Sequence, residues 1–328
     1  MPPAANVVIH PSQFPAQVQR DLLTSLRTRQ VNHKFHYDSR RQTQKWLALH
    51  QAFSPSRNDA DCAASYDRAF AATAQVIEAS RVHLIGLGCG GGQKDTRLLR
   101  LLKESGKAVS YAPCDVSVAM VLVARETALG VVPAEKCFPL VCDIATTDDL
   151  PEFLSLGQEP GSARLITFFG MIPNFEPQSI LPKLAALVRP GDSLLFSANL
   201  APGPDYATGI QKVLPQYDNA LTRDWLMTFL MDLGVEPDDG EIEFRIEEGP
   251  RDPGIKRIAV YFHFDGRRKV SVDQESFEFQ PNDTVRLFFS CRYTPAFVRS
   301  MLAEHGLQVR QQWITQSEEE GVFLVQRQ

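Results

Sequence analysis

Residues 88–92 read Gly-Cys-Gly-Gly-Gly, directly after an apolar run and directly before a stretch with helical spacing. Glycines at such a junction let the backbone pass close to a ligand with no Cβ in the way. About 20 residues further on, Asp115 closes a second apolar run, where a carboxylate can hold the hydroxyls of a ribose. Asp143 closes a third, in Val141-Cys142-Asp143-Ile144, and an acid there can accept a hydrogen bond from the exocyclic amine of an adenine. Each signal has a plain structural alternative. The glycine run can be a tight strand-to-helix turn or the pyrophosphate site of a dinucleotide. Asp115 suits a nicotinamide dinucleotide as well as another adenosine, and Asp143 can be a helix cap or a turn residue. No Ser-His-Asp or Cys-His constellation is visible. His33 and His36 have the spacing of a metal pair, but no carboxylate or cysteine cluster completes it. A solvated or packed face is expected for both, and no metal.

The elements that must position these residues follow from hydrophobic period. Amphipathic helices are expected over 13–30 (Val18, Leu22, Leu23, Leu26), 44–53 and 60–80. The rhythm then changes. Strands are expected over 82–87, 108–112, 138–141, 164–170 and 193–198, with helices over 94–105, 117–129 and 180–188 between them. Strands alternating with helices indicate a mostly parallel sheet. From 202 to about 283 the alternation breaks, with a helical part over 217–233 and β-like runs over 242–247 and 257–264. The chain ends with a helix over 294–305, with Gly306 as its cap, and two strands over 309–314 and 321–326. A helix followed by a closing antiparallel hairpin looks like the end of a class I methyltransferase rather than of an ordinary nicotinamide-binding sheet. The expected fold is therefore α/β, a Rossmann-like class I methyltransferase sheet with a C-terminal antiparallel hairpin, plus a smaller α+β substrate unit. The expected divisions are 1–58 (helical part of the substrate unit), 59–201 (cofactor domain), 202–284 (inserted substrate unit) and 285–328 (return to the sheet). The three loop signals in this order, with the hairpin, point to S-adenosylmethionine as cofactor.

Bulk properties narrow the class. A chain of 328 residues with 44% hydrophobic and 22% charged residues is globular and can bury a core without disulfides. A formal net charge of −5 offers no footprint for a nucleic-acid backbone. Cys62, Cys89, Cys114, Cys137, Cys142 and Cys291 form no CxxC pair and read as small buried thiols of a reducing compartment. The opening Met1-Pro2-Pro3-Ala4-Ala5-Asn6 lacks the pattern of a secretory signal, and no apolar run reaches the ~20 residues of a membrane helix. A cytoplasmic monomer is expected, with a small-molecule substrate and neither nucleic acid nor membrane as partner.

From Phe35 to the C-terminus the chain resembles the histidine-specific methyltransferase family, whose type member makes histidine betaine and which also contains tryptophan N-methyltransferases. The resemblance is carried by Phe35-His36-Tyr37-Asp38-Ser39-Arg40, Phe53-Ser54-Pro55-Ser56-Arg57, the loop Gly88-Cys89-Gly90-Gly91-Gly92-Gln93-Lys94, Gln216-Tyr217-Asp218-Asn219-Ala220 and Phe288-Phe289-Ser290-Cys291-Arg292-Tyr293. Its most specific part is Phe169-Gly170-Met171-Ile172-Pro173-Asn174-Phe175-Glu176-Pro177. The resemblance implies that Gly88, Gly90, Lys94, Phe169 and Gly170 join Asp115 and Asp143 around the cofactor. It implies that Asn174 and Tyr217 hold the carboxylate and α-amine of an amino acid. An amide that offers both donors and an acceptor suits such a zwitterion. Tyr37 and Asp38 are candidates to orient or deprotonate the amine, beside a structural role at a helix entry.

The departures concern the substrate side chain. Phe53 and Phe288 stand where the histidine enzymes grip the imidazole with a Tyr and a Glu, Val260 replaces a methionine, and Ser290 remains as one weak polar partner. Stripped of partners, such a pocket loses its hold on a polar ring. The expected activity is methylation of the α-amine of an amino acid with an apolar or aromatic side chain. Histidine Nα-methylation and a catalytically weak cofactor-binding homologue are the alternatives. Gly86 stands where the family carries an acid that meets the cofactor's amino-acid end. Its loss either weakens cofactor binding or calls for another side chain. Methyl transfer from a sulfonium requires alignment rather than acid–base catalysis. Only the neutral amine attacks, and a free α-amine has a pKa of about 7.7–8.0, so no dedicated nucleophile is expected.

Overall fold

The computed structural model describes residues 4–249 and 254–328. Met1-Pro2-Pro3, on which the expectation of no secretory signal partly rests, lies outside them. Strand β2 is the centre of the structure because its side chains are apolar on both faces. Val82 and Leu84 enter one core cluster, Ile85 and Leu87 another. Such a strand is stable only with helices on both sides.

The elements run in chain order as β1 (Val8–Ile9), α1 (Pro15–Thr28), α2 (Arg40–Phe53), α3 (Pro55–Asn58), α4 (Ala60–Val76), β2 (Arg81–Leu87), α5 (Gln93–Glu104), β3 (Ala108–Asp115), α6 (Val118–Ala128), β4 (Leu140–Val141), α7 (Leu150–Phe153), β5 (Ala163–Phe168), α8 (Pro177–Leu187) and β6 (Ser193–Asn199). There follow α9 (Tyr206–Tyr217), α10 (Ala220–Asp232), β7 (Gly240–Glu248), β8 (Lys256–Phe264), β9 (Arg268–Val272), β10 (Glu275–Phe279), β11 (Thr284–Cys291), α11 (Pro295–Ala303), β12 (Leu307–Ile314) and β13 (Glu320–Arg327). The large sheet has the order β1-β4-β3-β2-β5-β6-β13-β12. β13 pairs antiparallel with β6 and with β12, and every other neighbour is parallel. This is the Rossmann-like class I methyltransferase sheet with its terminal hairpin.

α4, α5 and α6 cover one face. Leu98, Leu99 and Leu102 of α5 are fully buried there, the stripe that a 3.6-residue period presents. α7, α8 and α11 cover the other face through Leu150, Ile180, Leu184, Val298 and Leu302. The second unit is the antiparallel sheet β11-β8-β7 and the hairpin β9–β10. α1, α2 and α10 pack against it around Phe35, Trp225, Phe229, Val260, Phe262 and Phe264. α2 starts at a capping box in which Ser39 and Gln42 satisfy each other's backbone N–H groups. No helix among the described residues is long and apolar enough to cross a membrane.

Three features differ from the sequence expectation. The helix expected over 217–233 begins only at Ala220, as α10, and a separate helix, α9, precedes it over Tyr206–Tyr217. α9 ends at Tyr217, and Asn219 caps α10 by accepting from the Thr222 N–H, so Tyr217 closes a helix rather than opening one. Residues 285–291, assigned to the returning segment, pair instead with β8 in the small sheet. The chain rejoins the large sheet at Tyr293, which bridges to Leu200. The N-terminal segment places β1 on the outer edge of the large sheet, parallel to β4, and two residues of strand carry too little pattern to be read in advance.

The small unit depends on stacked aromatics. Phe264 is buried, with its ring 4.4 Å from Phe279 and 5.0 Å from Phe262. Phe264→Ala is expected to cost about 3–5 kcal/mol, read as a lowered urea midpoint of unfolding.

Candidate active site

A cavity of about 260 Å³ opens at the C-terminal ends of β2, β3, β5 and β6. The parallel strands all deliver their following loops to this edge, as open α/β sheets do. Gly88, Gly90, Lys94, Asp115, Asp143, Phe169, Gly170, Asn174 and Tyr37 all line it.

The glycine loop is as close as glycine allows. Gly88 has φ +59°, and a Cβ there would fall 2.1 Å from Met171 Sδ. At Gly90 a Cβ would press on the Trp46 ring at 2.9 Å. Asp115 ties this loop to the next helix. Its Oδ2 accepts from Gly90 N–H (3.1 Å) and its Oδ1 from Ser117 N–H (3.1 Å). Burial pushes the Asp115 carboxyl up to about 6, and these backbone donors pull the other way.

Asp143 is almost completely buried. Its Oδ1 accepts from Ala145 N–H (3.0 Å), a turn contact, but its Oδ2 is buried with no hydrogen-bond partner. The Lys34 ammonium stands 3.9 Å from that oxygen and is itself bonded to Asp21 at 2.5 Å. The turn contact thus uses one oxygen of the carboxylate and leaves the other without a hydrogen-bond partner. An orphaned acceptor in the cavity wall suits the amine of an adenine. Together with the glycine cradle, it fits the adenosine of S-adenosylmethionine.

Lys94 donates to Tyr66 Oη (2.9 Å) and lies 3.8 Å from Glu320, which accepts from Tyr66. Phe169 packs edge-on to Tyr66, and Gly170 N–H donates to Ser197 Oγ (2.9 Å).

On the opposite side, Asn174 is held by its amide donating to Phe289 O (2.7 Å). Tyr217 does not line the cavity. Its hydroxyl meets Ser290 Oγ at 2.8 Å and accepts from the buried Arg292 guanidinium at 2.9 Å. Asn199, which does line the cavity, reaches the same hydroxyl at 3.5 Å. The other proposed side-chain contacts stand apart from the cavity. Phe53 is 53% exposed at the end of α2, and Val260 is fully buried in the core of the small unit. Phe288 packs on Trp225 and His36. Asp38 is exposed, separated from Tyr37 by one peptide bond. Burial holds the Tyr37 phenol above its usual range, so it serves as a neutral hydrogen-bonding group.

Several wall residues carry no sequence signal of their own. Trp46 and His50 stack at 4.8 Å, and their i, i+4 spacing on α2 was the one available hint. His50 is lowered to about 3 by burial and by Lys94 and Arg57. His33, expected on a solvated or packed face, lines the cavity edge-on to Phe175. Burial lowers its pKa against the pull of Asp143. Burial also raises the Cys89 thiol well above its usual range, which leaves it no thiolate character. Among the described residues no group of His, Cys, Asp or Glu converges to hold a metal ion. The arrangement suits an adenosine-bearing ligand, and among the described residues of the wall burial leaves Cys89 a neutral thiol.

A family described as histidine-specific methyltransferase, SAM-dependent, matches residues 17–327. The histidine N-alpha-methyltransferase of Mycobacterium tuberculosis (strain CDC 1551 / Oshkosh) is 28% identical over 265 residues, 77% of this chain and 78% of that protein. The N-methyltransferase imqF of Aspergillus flavus is 26% identical over 255 residues, 73% of this chain and 65% of that one. Among solved structures, the CcbJ methyltransferase from Streptomyces caelestis aligns with a TM-score of 0.40 at 15% identity, over 80% of this chain and 96% of the other.

Asp115→Ala is expected to weaken S-adenosylhomocysteine binding by about 1.5–3 kcal/mol, measured by calorimetry. Asp95, also on the cavity wall, shares with Asp115 a carboxyl raised to about 6. Both are ionised above that pH and protonated below it. Affinity for the same ligand should therefore fall as the pH drops through about 6.

Proposed function

The chain belongs to the histidine-specific, S-adenosylmethionine-dependent methyltransferase family, and from that membership we propose that it methylates the α-amine of an amino acid, with histidine the first candidate. That it is an S-adenosylmethionine-dependent N-methyltransferase acting on a small molecule is the firm part. The observation that carries the finer reading is that Asn174 borders the same cavity as the glycine loop, Asp115 and Asp143. An amide there, backed by Asn199 and the Tyr217–Arg292 pair, suits the carboxylate and ammonium of an amino acid.

The sequence argument for an apolar side-chain pocket rested on Phe53, Val260 and Phe288. None of them lines the cavity. The wall carries His33, Tyr37, His50, Asn174 and Asn199 among apolar groups such as Trp46, Met171 and Phe175, and the two histidines remain as polar partners for an imidazole. Family membership and the likeness to a histidine N-alpha-methyltransferase support the same substrate.

When bound, the cofactor supplies a methyl group already activated by its sulfonium. The protein's work is to place the amine. Asn174 and Asn199 orient the amino-acid backbone, and Tyr37, held neutral, accepts a hydrogen bond from the amine and so turns its lone pair. The transfer leaves S-adenosylhomocysteine and releases one proton to solvent. No residue has to act as a strong base, because the neutral amine is populated near its pKa of about 7.7–8.0.

Two measurements test this. In a mass-spectrometric screen of the common amino acids with S-adenosylmethionine, histidine should gain methyl groups faster than tryptophan, phenylalanine or leucine. Faster turnover of an aromatic or aliphatic amino acid restores the apolar reading, and no turnover of any amino acid leaves a cofactor-binding homologue. Asn174→Ala should lose amino-acid methylation about ten- to hundredfold, as expected for a bond to a charged group, while S-adenosylhomocysteine affinity stays within twofold. Normal turnover in that variant removes Asn174 from the substrate site.

A further inference from the structure

Gly86 has no side chain with which to meet a ligand, yet the space beside it is filled. A Cβ on Gly86 would lie 2.1 Å from Asp95 Oδ2, and the Tyr111 ring closes the other side at 3.2 Å. The carboxylate of Asp95, in the first turn of α5, therefore stands where a side chain from the end of β2 would stand. Glycine at 86 is the condition for it. Any larger residue would have to displace Asp95.

This carboxylate is built in rather than incidental. Asp95 is 3% exposed and lines the cavity beside the glycine loop. Tyr111 Oη donates to its Oδ2 (2.7 Å) and Thr167 Oγ1 to its Oδ1 (2.8 Å), one from each strand flanking β2. Both donors are neutral hydroxyls. They hold the carboxylate in place and leave its negative charge without a bonded cation. Lys94 is adjacent in sequence, but its ammonium is engaged by Tyr66 and Glu320. A buried acid of this kind costs free energy unless a positive group joins it. Each oxygen keeps acceptor capacity for one.

We infer that Asp95 is the anchor for the α-ammonium of the methionyl part of S-adenosylmethionine, replacing the strand-end acid that Gly86 lacks. The pairing is local. Residues 94 and 95 then present opposite charges to the two ends of one zwitterion, the ammonium facing Asp95 and the carboxylate on the side of Lys94. The inference rests on the cofactor and does not depend on which amino acid is methylated.

The test uses two ligands that differ only in the ammonium: S-adenosylhomocysteine, and its analogue in which that group is replaced by hydrogen. Wild-type protein should bind the deaminated analogue roughly ten- to hundredfold more weakly. Asp95→Asn, which keeps the shape and loses the charge, should bind both ligands about equally, at the weaker affinity. Binding of 5′-methylthioadenosine, which lacks the amino-acid part, should be unchanged by the substitution and reports that the fold and the adenosine site survive. Three results overturn the inference. The first is equal binding of the two ligands by wild type, a result that needs no variant. The second is a full preference for the ammonium retained in Asp95→Asn. The third is loss of 5′-methylthioadenosine and S-adenosylhomocysteine affinity alike in the variant, which makes Asp95 a support of the loop.

Discussion

The glycine loop between β2 and α5 is tied to the neighbouring strand and helix, and the central tie is one carboxylate. Asp115 closes β3 and accepts from Gly90 and from Ser117, so a single side chain ties the loop to the start of α6. A glycine-rich backbone is costly to order because it loses the most freedom on folding. Here the ordering is met by the parallel pairing of β2 with β3, by the Gly90 bond to Asp115, by Cys89 N–H donating to Cys114 O (3.0 Å) and by Thr127 Oγ1 donating to Gly91 O (3.0 Å). Everything that borders the cavity is then referenced to that loop. Trp46 rests against Gly90 from α2, and Met171 rests against Gly88 from the turn after β5.

Charge is the second organising feature. Asp95, Asp115 and Asp143 ring one cavity, each buried by a different strand or helix end. Each is handled differently. Asp115 is stabilised by backbone donors, Asp95 by two hydroxyls, and Asp143 keeps one oxygen for its turn and leaves the other unpartnered. The nearby cations are diverted. Lys34 is bonded to Asp21 and Lys94 to Tyr66, so neither cancels the acids outright. The cavity thus retains unspent acceptor capacity, which is what a ligand carrying amines, hydroxyls and positive charge requires.

The small unit contributes position more than contact. Its β11 holds Asn174 through the Phe289 carbonyl and Tyr217 through Ser290. Arg292, just past β11, crosses back to Leu200 O and so locks the small sheet to the end of β6, beside Asn199. Residues of this unit act on the cavity through the large sheet's edge. This is why Tyr217 and Ser290 lie behind the wall rather than in it.

How much of this was legible in advance depends on the range of the interactions. Short continuous apolar runs, a glycine-rich turn and an acid at each strand end are local patterns, and in a parallel sheet they place Gly88, Asp115 and Asp143 on one edge with no further information. Motifs carried Asn174, Phe169 and Lys94 to the same cavity. The side-chain pocket was misplaced because it rests on packing. Phe53 sits at a helix end that turns outward, Val260 on the inner face of β8, and Phe288 beside a register shift between Arg286 and Phe288 that breaks the alternation a strand pattern assumes. Glu320 meets Lys94 only because the last strand inserts beside β6. Gly86 read alone was a missing acid. Only the tertiary structure, by bringing the first turn of α5 into the space that glycine leaves open, placed a carboxylate there.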